Sequence, residues 1–231
     1  MSLTASSYSG IENLEVMKEA KLYNRYLTRL IASQIKPGDT ALDFGAGVGT
    51  FAYPLRSLGV DPICVEPDAT LRNNLQRAGF RAHAELADIA DASVDFIYTL
   101  NVLEHIEHDR ATLCELARKL ASGGRILVYV PAFQVLFSSM DRKVGHLRRY
   151  RRRQLEQRLV EAGLRVSRSR YVDSLGFLAA LVYRTIGSEA GDINRPALKL
   201  YDRLVFPISL GVDKLLSRWL GKNLLVIGFK P

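Results

Sequence analysis

A glycine-rich turn with a carboxylate just ahead of it is the first part of the sequence that could do chemistry. It reads LDFGAGVGTF, residues 42–51, and continues a short apolar run. Glycine lets the backbone turn sharply and approach a ligand closely. The dinucleotide-binding pattern G-x-G-x-x-G would need a glycine where Thr50 stands, and Asp43 lies two residues before the first glycine. Because a carboxylate there repels pyrophosphate, the turn favours a ligand that carries positive charge.

A second carboxylate indicates that this ligand contains a nucleoside. Glu66 ends the next apolar run, in the stretch CVEPD, 21 residues after Gly45. At this distance an acidic residue accepts hydrogen bonds from both hydroxyls of a ribose. The alternative is a solvated acidic residue at a strand end. Together with the glycine-rich turn, Glu66 favours a binding site for an adenosine-containing ligand.

An arginine run is the third candidate for chemistry. The stretch GHLRRYRRRQL, residues 145–155, has five arginines in six positions. Residues 151–153 fall at the start of a predicted helix, where the macrodipole disfavours cations and no Ser, Thr, Asp or Asn cap is present. We expect some of these guanidiniums to bind an anionic group such as a phosphate or carboxylate, since arginine offers bidentate contacts. The alternative is that they are solvated or paired with Glu156 and Glu161.

The bulk composition is that of a soluble globular protein with a basic excess. Of 231 residues, 48% are hydrophobic and 24% are charged, and the formal net charge is +8. That charge keeps nucleic acid, phosphorylated substrates and an acidic membrane surface open as partners. The opening residues lack a basic start followed by an apolar run, and no apolar stretch is long enough to span a bilayer. We therefore expect a cytoplasmic protein whose two cysteines, Cys64 and Cys114, are buried and reduced.

The candidate residues lie in a chain where apolar runs alternate with helical patterns. We predict a first helix over Glu12–Ile35 and strands at TALDFGA, DPICVEP, RAHAELA, VDFIYTLNV and RILVYVPA. Such alternation predicts a parallel sheet with helices on both faces. A helix after Gln154, the strand LRVSRSRYV, inserted helices over residues 174–221 and a last strand, NLLVIGFKP, complete the pattern. We interpret residues 1–231 as a single domain and the insertion as a subdomain at most.

Taken in order, LDFGAGVGTF, VEPD, DFIYTLNVLEHIEHD and LASGGRILVYVPAF resemble a class I S-adenosylmethionine-dependent methyltransferase. The resemblance runs from residue 20 to residue 173, and the last strand fits as well. It implies a Rossmann-like α/β fold with a seven-stranded, mostly parallel sheet of order 3-2-1-4-5-7-6 and an antiparallel last strand. It also implies S-adenosylmethionine as the cofactor, lying over the ends of strands one, two and four.

The cofactor residues of that family map onto positions before the first strand and at the ends of the first four. The implied cofactor-binding residues are Tyr23, Asp43, Gly45, Ala46, Gly47, Glu66, Pro67, Glu85, Leu86, Asn101, Val102 and His105. Among them, Glu66 is implied to hold the ribose and Asp43 the amino end of the methionine. The residue that contacts the adenine is less defined, because Glu85, Leu86 and Asp88 are all candidates. Tyr23 is either a cover over the cofactor or a core aromatic.

The acceptor side is predicted to lie at the long loop of residues 133–150, since long loops in compact domains are usually functional. Related sequences carry the pattern G-H-x-R-R-Y there. Methyl transfer needs alignment and exclusion of water, and a hydroxyl acceptor gains from a general base. The candidate catalytic residues are therefore His105 and His146, with Tyr150 beside them. The predicted acceptor-binding residues are His146, Arg148, Arg149 and Tyr150.

The sequence predicts an enzyme that methylates a small hydrophobic acceptor, of a lipid-linked, glycan or quinone-like kind, and an anionic or phosphorylated group on it stays open. The alternatives are an RNA or tRNA methyltransferase and a non-catalytic S-adenosylmethionine-binding protein. Nucleic acid is the weaker interpretation, because the other arginines are dispersed and the fourth strand ends in NVLE rather than N-P-P-Y or D-P-P-Y.

Three further features complete the expectations. No metal is expected, since the four histidines are scattered and no Cys or His cluster has ligand spacing. The inserted helices combine large apolar residues with basic ones, which favours either peripheral contact with an anionic membrane or a cap or dimer surface. The atom that is methylated and the oligomeric state stay open.

Overall fold

One sheet brings the carboxyl ends of its parallel strands to a single edge. The computed structural model of the protein describes residues 16–186 and 194–231. The strands are β1 (Ala41–Phe44), β2 (Ile63–Val65), β3 (Ala82–His83), β4 (Val94–Leu100), β5 (Leu120–Pro131), β6 (Arg165–Val172) and β7 (Asn223–Phe229). Their order is β3-β2-β1-β4-β5-β7-β6, which confirms the predicted order. β7 is antiparallel to both β5 and β6, as predicted, and the other neighbours are parallel.

Helices connect the strands and cover both faces, as predicted. Those of the described residues are α1 (Lys21–Ala32), α2 (Ala52–Ser57), α3 (Ala69–Arg77), α4 (Asp109–Lys119), α5 (Ser139–Lys143), α6 (Arg152–Glu161), α7 (Ser174–Ile186), α8 (Arg195–Leu200) and α9 (Phe206–Leu216). A π-helical turn, Tyr201–Val205, joins α8 to α9. Within the described part of the chain, no helix combines the length and apolarity needed to cross a membrane.

Two apolar cores flank the sheet because successive residues of a strand point to opposite faces. In β4, Ile97 belongs to one core, while Phe96 and Tyr98 belong to the other. The first core includes Leu113 and Leu116 of α4 and Leu155 and Leu159 of α6. The second core includes Leu27 and Ile31 of α1 and Leu55 of α2. The apolar runs of the central strands are therefore buried on both sides, as their composition predicts.

The predicted first helix, Glu12–Ile35, is interrupted by a turn. Val16 and Met17 are helical, residues 18–20 form the turn, and α1 runs from Lys21 to Ala32; residues 12–15 lie outside the described part. The backbone N–H groups of Leu22 and Tyr23 donate to the carboxylate of Asp202 at 2.9 and 2.8 Å. This cap satisfies groups that a helix start leaves unpaired. It comes from the insertion, 180 positions along the chain, so the local sequence carries no sign of it.

The two cysteines differ in their surroundings. Both are free thiols, and Cys64 in β2 is buried, as predicted. Cys114 is exposed, so the prediction of burial is wrong for it. The reason is its place on α4, where the neighbouring positions Leu113 and Leu116 take the inner face.

The insertion between β6 and β7 is anchored by one buried carboxylate. Asp213 of α9 accepts hydrogen bonds from the backbone N–H groups of Asp173 and Ser174, both at 2.8 Å. The hydroxyl of Ser174 donates to the same carboxylate at 2.6 Å. Asp213 therefore joins the last inserted helix to the end of β6. The division of the chain into one domain with an inserted subdomain stays a prediction.

Replacing this anchor should destabilise the protein. In Asp213→Ala, three donors that are buried or partly buried lose their acceptor, and each such loss costs about 1–3 kcal/mol. We expect the free energy of unfolding to fall by about 3 kcal/mol, measured by urea denaturation followed by circular dichroism. Asp88→Ala, at an exposed position, is the control and should change it little. Equal stability of the two variants would contradict the anchoring role.

Candidate functional site

The glycine-rich turn follows β1 and closely approaches the segment that follows β4. Gly45 and Gly47 have φ values of +81° and +55°, in the left-handed region that favours glycine. A Cβ atom at Gly45 would lie 2.3 Å from the Cγ2 atom of Val102. Only a glycine therefore lets these two segments approach so closely. The turn and Val102 form a narrow floor at the carboxyl edge of the sheet, where ligands bind in folds of this kind.

Glu66 is held against the glycine-rich turn. The backbone N–H of Gly47 donates to its Oε2 atom at 2.7 Å, and the N–H of Asp68 donates to its Oε1 atom at 2.9 Å. Burial raises the pKa of Glu66, while these two hydrogen bonds oppose that change. A carboxylate has about four sites for hydrogen bonds, so two remain for the hydroxyls of a ligand. The structure thus brings together the two features that the sequence separates by 21 residues.

Asp43 offers an unpaired acceptor in the same place. It is 3% exposed. Its Oδ2 atom has no hydrogen-bond partner within the described residues. Burial, with a smaller contribution from the negative charge of Glu66, raises the pKa of Asp43 to about 7, and the nearby hydroxyl of Tyr98 opposes this change. A buried polar atom without a partner is costly. A donor or positive charge on a ligand would relieve that cost.

The segment after β4 is shaped by an unusual backbone conformation. Asn101 has a φ of +54°, and its N–H donates to the carbonyl of Tyr129 at 2.8 Å. Asparagine tolerates this region better than most residues. A 3₁₀ turn, Leu103–His105, follows Val102 directly. The structure therefore places Val102 against the glycine-rich turn, with Asn101 directly before it and His105 at the end of the 3₁₀ turn that follows.

The other predicted cofactor residues lie at the two sides of this floor. Leu86 is buried in a 3₁₀ turn after β3, while Glu85 and Pro67 are exposed. The hydroxyl of Tyr23 lies 3.2 Å from that of Tyr129, at the carboxyl end of β5. Ala46 is buried within the turn itself. The binding roles of these residues stay predictions.

One arginine of the run, Arg149, is buried inside the protein. Arg149 is 5% exposed, and its Nε and Nη2 atoms donate to the two carboxylate oxygens of Asp141, each at 2.9 Å. Asp141 is fully buried and also accepts from the N–H of Ser138. Burial alone would raise the pKa of Asp141, but hydrogen bonds from His146 and Arg149 outweigh it and lower the pKa to about 2. Arg149 therefore neutralises a buried charge inside the loop.

Tyr150 and Arg148 meet at a second buried carboxylate. The hydroxyl of Tyr150 lies 2.6 Å from Asp109 and 3.0 Å from the carbonyl of Leu103, and the tyrosine is fully buried. Arg148 lies 3.1 Å from Asp109 and also donates to the carbonyl of Glu107. That these residues bind the acceptor stays a prediction, but in this structure their polar groups hold the loop against β4 and α4.

Two histidines and a glutamate converge where the loop meets the 3₁₀ turn. The rings of His105 and His146 lie edge to face with centroids 4.7 Å apart. Burial and the neighbouring His146 lower the pKa of His105 to about 4, which keeps that ring neutral at pH 7. The Nδ1 atom of His146 lies 2.7 Å from Asp141, and its Nε2 atom lies 3.7 Å from Glu104.

Sequence analysis missed two of these residues, Glu104 and Asp141. Glu104 is fully buried, and burial raises its pKa to about 8. Its adjacency to His105 in NVLEHI was the available signal, but the distance in sequence to His146 hid the cluster. The expectation of no metal rested on that same spacing.

Comparisons with known proteins identify the family of the chain and agree with its fold. Residues 17–169, more than half of the chain, match the family described as a methyltransferase domain. An uncharacterized methyltransferase from Mycobacterium ulcerans (strain Agy99) is 30% identical over 119 residues, which cover 47% of this chain and 46% of that protein. The chain therefore spans about half the length of the curated relatives it matches.

Solved structures share the architecture at low identity. A SAM-dependent methyltransferase from Archaeoglobus fulgidus has a TM-score of 0.62 at 18% identity and covers 91% of this chain and 94% of its own. A possible histamine N-methyltransferase from Thermotoga maritima has a TM-score of 0.61 at 15% identity; the match covers 98% of this chain and 100% of that chain. At these identities the likeness shows the fold alone.

Asp43 should give the stability of the protein a measurable pH dependence. Its pKa is about 7 when folded, against about 3.9 for an unfolded aspartate, so folding favours the protonated form. The contribution of Asp43 to stability is therefore greatest below about pH 4 and is lost as the pH rises to about 7. Relative to Asp43→Asn, the wild type should lose about 2 kcal/mol of unfolding free energy between about pH 5 and pH 8.

Urea denaturation at several pH values measures this difference. Asp88→Asn, at an exposed position, serves as the control and should follow the wild type at every pH. If the difference in unfolding free energy between the wild type and Asp43→Asn stays constant across this pH range, Asp43 does not titrate there.

Proposed function

Because the chain belongs to the methyltransferase-domain family, we propose that it transfers a methyl group from S-adenosylmethionine to a small hydrophobic acceptor. The observation that carries this proposal is the pairing of Glu66 with the glycine-rich turn. When bound, the cofactor supplies a methyl group already activated by a positively charged sulfur. The protein then has to bind the cofactor and the acceptor, align them with each other and exclude water.

The residues present fit this cofactor. Glu66 would hold the ribose hydroxyls with the acceptor sites that Gly47 and Asp68 leave open. The unpaired Oδ2 atom of Asp43 would accept from the ammonium group of the methionine portion. A Cβ atom at Gly45 would collide with Val102, so glycine is needed for the turn to pack against the segment after β4. Two independent carboxylates thus match a nucleoside with a cationic end.

A small cavity of about 20 Å³ beyond the end of β5 supports the acceptor side. It is lined by Met17, Ala20, Tyr23, Asp173, Leu198, Tyr201, Asp202, Phe206 and Lys222. Burial lowers the pKa of Lys222, and the charge of Asp173 opposes this change. The hydroxyl of Tyr201 lies 2.5 Å from Asp173. The cavity has room for about one water molecule, and its one amine and two carboxylates among apolar and aromatic walls suit a small polar group, such as a hydroxyl, on a hydrophobic acceptor.

A nucleic-acid acceptor gains no support from the arginine run. Arg149 is buried against Asp141, and Arg148 lies against Asp109. The guanidinium of Arg152 donates to the carbonyl of Ser217 and lies over the ring of Tyr171. A phosphate backbone needs free cations along one surface, and in this run most of the cations already bond within the protein. This favours the small acceptor over RNA.

The insertion also supports a lipid-like acceptor, because it carries an exposed apolar stripe with basic neighbours. The stripe consists of Leu200, Leu204, Ile208, Leu215 and Trp219, all exposed. Four of its members directly follow a basic residue: Lys199, Arg203, Lys214 and Arg218. The two acidic residues of this segment, Asp202 and Asp213, are both buried, so its exposed charges are all positive. Such a surface is complementary to an anionic bilayer.

Cofactor binding is tested by Glu66→Gln. The amide would lose the charged acceptor of the ribose hydroxyls and place N–H groups against those of Gly47 and Asp68. Since hydrogen bonds to charged groups contribute about 1.5–3 kcal/mol, we expect affinity for S-adenosylhomocysteine to fall about 10- to 100-fold in calorimetry. Glu115→Gln, on the half-buried surface of α4, should bind like the wild type. Equal affinity in both variants would contradict the ribose role of Glu66.

Membrane contact is tested by flotation with vesicles that contain phosphatidylglycerol. The wild type should float with these vesicles and stay in solution with phosphatidylcholine alone. Leu204→Glu combined with Leu215→Glu should abolish flotation, because two carboxylates then face the anionic surface. Val160→Glu alters a similarly exposed residue of α6 and should float normally. Absence of wild-type flotation would refute the membrane surface while leaving cofactor binding intact.

A further inference from the structure

Three side chains with metal-binding atoms meet at the junction between the 3₁₀ turn after β4 and the loop after β5. Glu104, His105 and His146 each place one oxygen or nitrogen atom within 4.8 Å of the others. The Oε1 atom of Glu104 lies 3.7 Å from the Nε2 atom of His146. Ligands bonded to one ion at 2.0–2.2 Å lie roughly 3–3.5 Å apart. A small adjustment of these side chains would therefore close the site around an ion.

The strongest sign of a missing ligand is the carboxylate of Glu104. It is fully buried, and neither of its oxygens has a hydrogen-bond partner within the described residues. Buried carboxylates are normally hydrogen-bonded, paired with a cation or bound to a metal. An ion could be shared between Glu104 and the Nε2 atom of His146, whose side chain is 13% exposed. Glu104 is thus aimed into the cluster with its bonding capacity unused.

The histidines are held in the manner typical of metal ligands. The Nδ1 atom of His146 lies 2.7 Å from Asp141, which leaves Nε2 to face Glu104. Asp141 is itself fixed by Arg149 and Ser138. A Cβ atom at Gly145 would lie 3.9 Å from the Nδ1 atom of His105, so the loop backbone packs beside that ring. Metal-binding histidines commonly donate their second ring N–H to a carboxylate or backbone carbonyl, which fixes the tautomer and the ring orientation.

We propose that Glu104, His105 and His146 form a binding site for a divalent first-row metal ion. Two imidazoles and one carboxylate suit Zn²⁺, Mn²⁺, Fe²⁺ or Co²⁺, whereas Ca²⁺ and Mg²⁺ prefer oxygen ligands alone. In this arrangement the two histidines act as ligands rather than as general bases. Arg149 and Asp141 are positioning residues, because they act on the site through His146.

The location of the site indicates what the ion would hold. The 3₁₀ turn that carries Glu104 and His105 follows Val102, which contacts the glycine-rich turn. An ion with three protein ligands keeps positions open for a further ligand. Resting on the proposed methyl transfer, the geometry points to an acceptor that presents an oxygen atom to the ion. This would make the protein an O-methyltransferase for a hydroxyl-bearing acceptor.

Metal binding is tested with Co²⁺, whose visible absorption reports its ligands. Chelator-treated wild type should bind one Co²⁺ per chain and show d–d bands of a nitrogen and oxygen site. Glu104→Gln and His146→Gln should each weaken binding about 100-fold or more, and Asp141→Asn about 10- to 100-fold. His108→Gln, at an exposed histidine of the same segment, is the matched control and should keep full binding. Co²⁺ should raise the melting temperature of the wild type and of His108→Gln, and it should leave that of the other variants unchanged.

Wild-type protein without stoichiometric Co²⁺ binding would overturn the site, whether or not the variants fold. So would binding that survives both Glu104→Gln and His146→Gln. Calorimetry of the chelator-treated wild type with S-adenosylhomocysteine separates this result from the proposed function. Retained S-adenosylhomocysteine binding without Co²⁺ binding refutes only the metal site, and the reverse result refutes only the cofactor site.

Discussion

The buried ion pair between Asp141 and Arg149 is the interaction on which the acceptor side depends. Both side chains are almost wholly removed from solvent and meet through two hydrogen bonds of 2.9 Å. A buried charge without its partner is strongly destabilising. The pair also fixes His146, and the neighbouring N–H of Leu147 donates to the carbonyl of Glu104 at 2.8 Å. The carboxylate of Asp141 thus holds the loop after β5 together, and the hydrogen bond from Leu147 joins that loop to the turn after β4.

Local patterns were enough to predict which segments form strands and to single out the glycine-rich turn and Glu66. Parallel strands buried on both faces read as continuous apolar runs, and ILVYV in β5 and FIYTL in β4 are such runs. The glycine-rich turn and Glu66 were found because each lies at the end of a strand, and parallel strands bring their ends to one edge. The order of strands came from the family resemblance, since periodicity alone does not determine which strands pair.

What could not be predicted depends on contacts between distant parts of the chain. The start of α1 is set by Asp202, and the cluster at the site joins Glu104 to His146 across the whole of β5. Arg149 and Tyr150 look like surface residues in sequence, because a run of arginines normally indicates a solvated face. Arg149 is buried against Asp141, eight positions away in α5, and Tyr150 against Asp109, 41 positions away in α4.

The insertion connects the two halves of the proposed site to the surface that carries the apolar stripe. Asp202 caps α1, and Tyr23 at the start of that helix reaches the hydroxyl of Tyr129 beside the floor. The same segment lines the proposed acceptor cavity with Tyr201 and Phe206. Since the buried side of the insertion lines this cavity and its exposed side carries the apolar stripe, the proposed acceptor site and the proposed membrane surface lie on opposite sides of one segment.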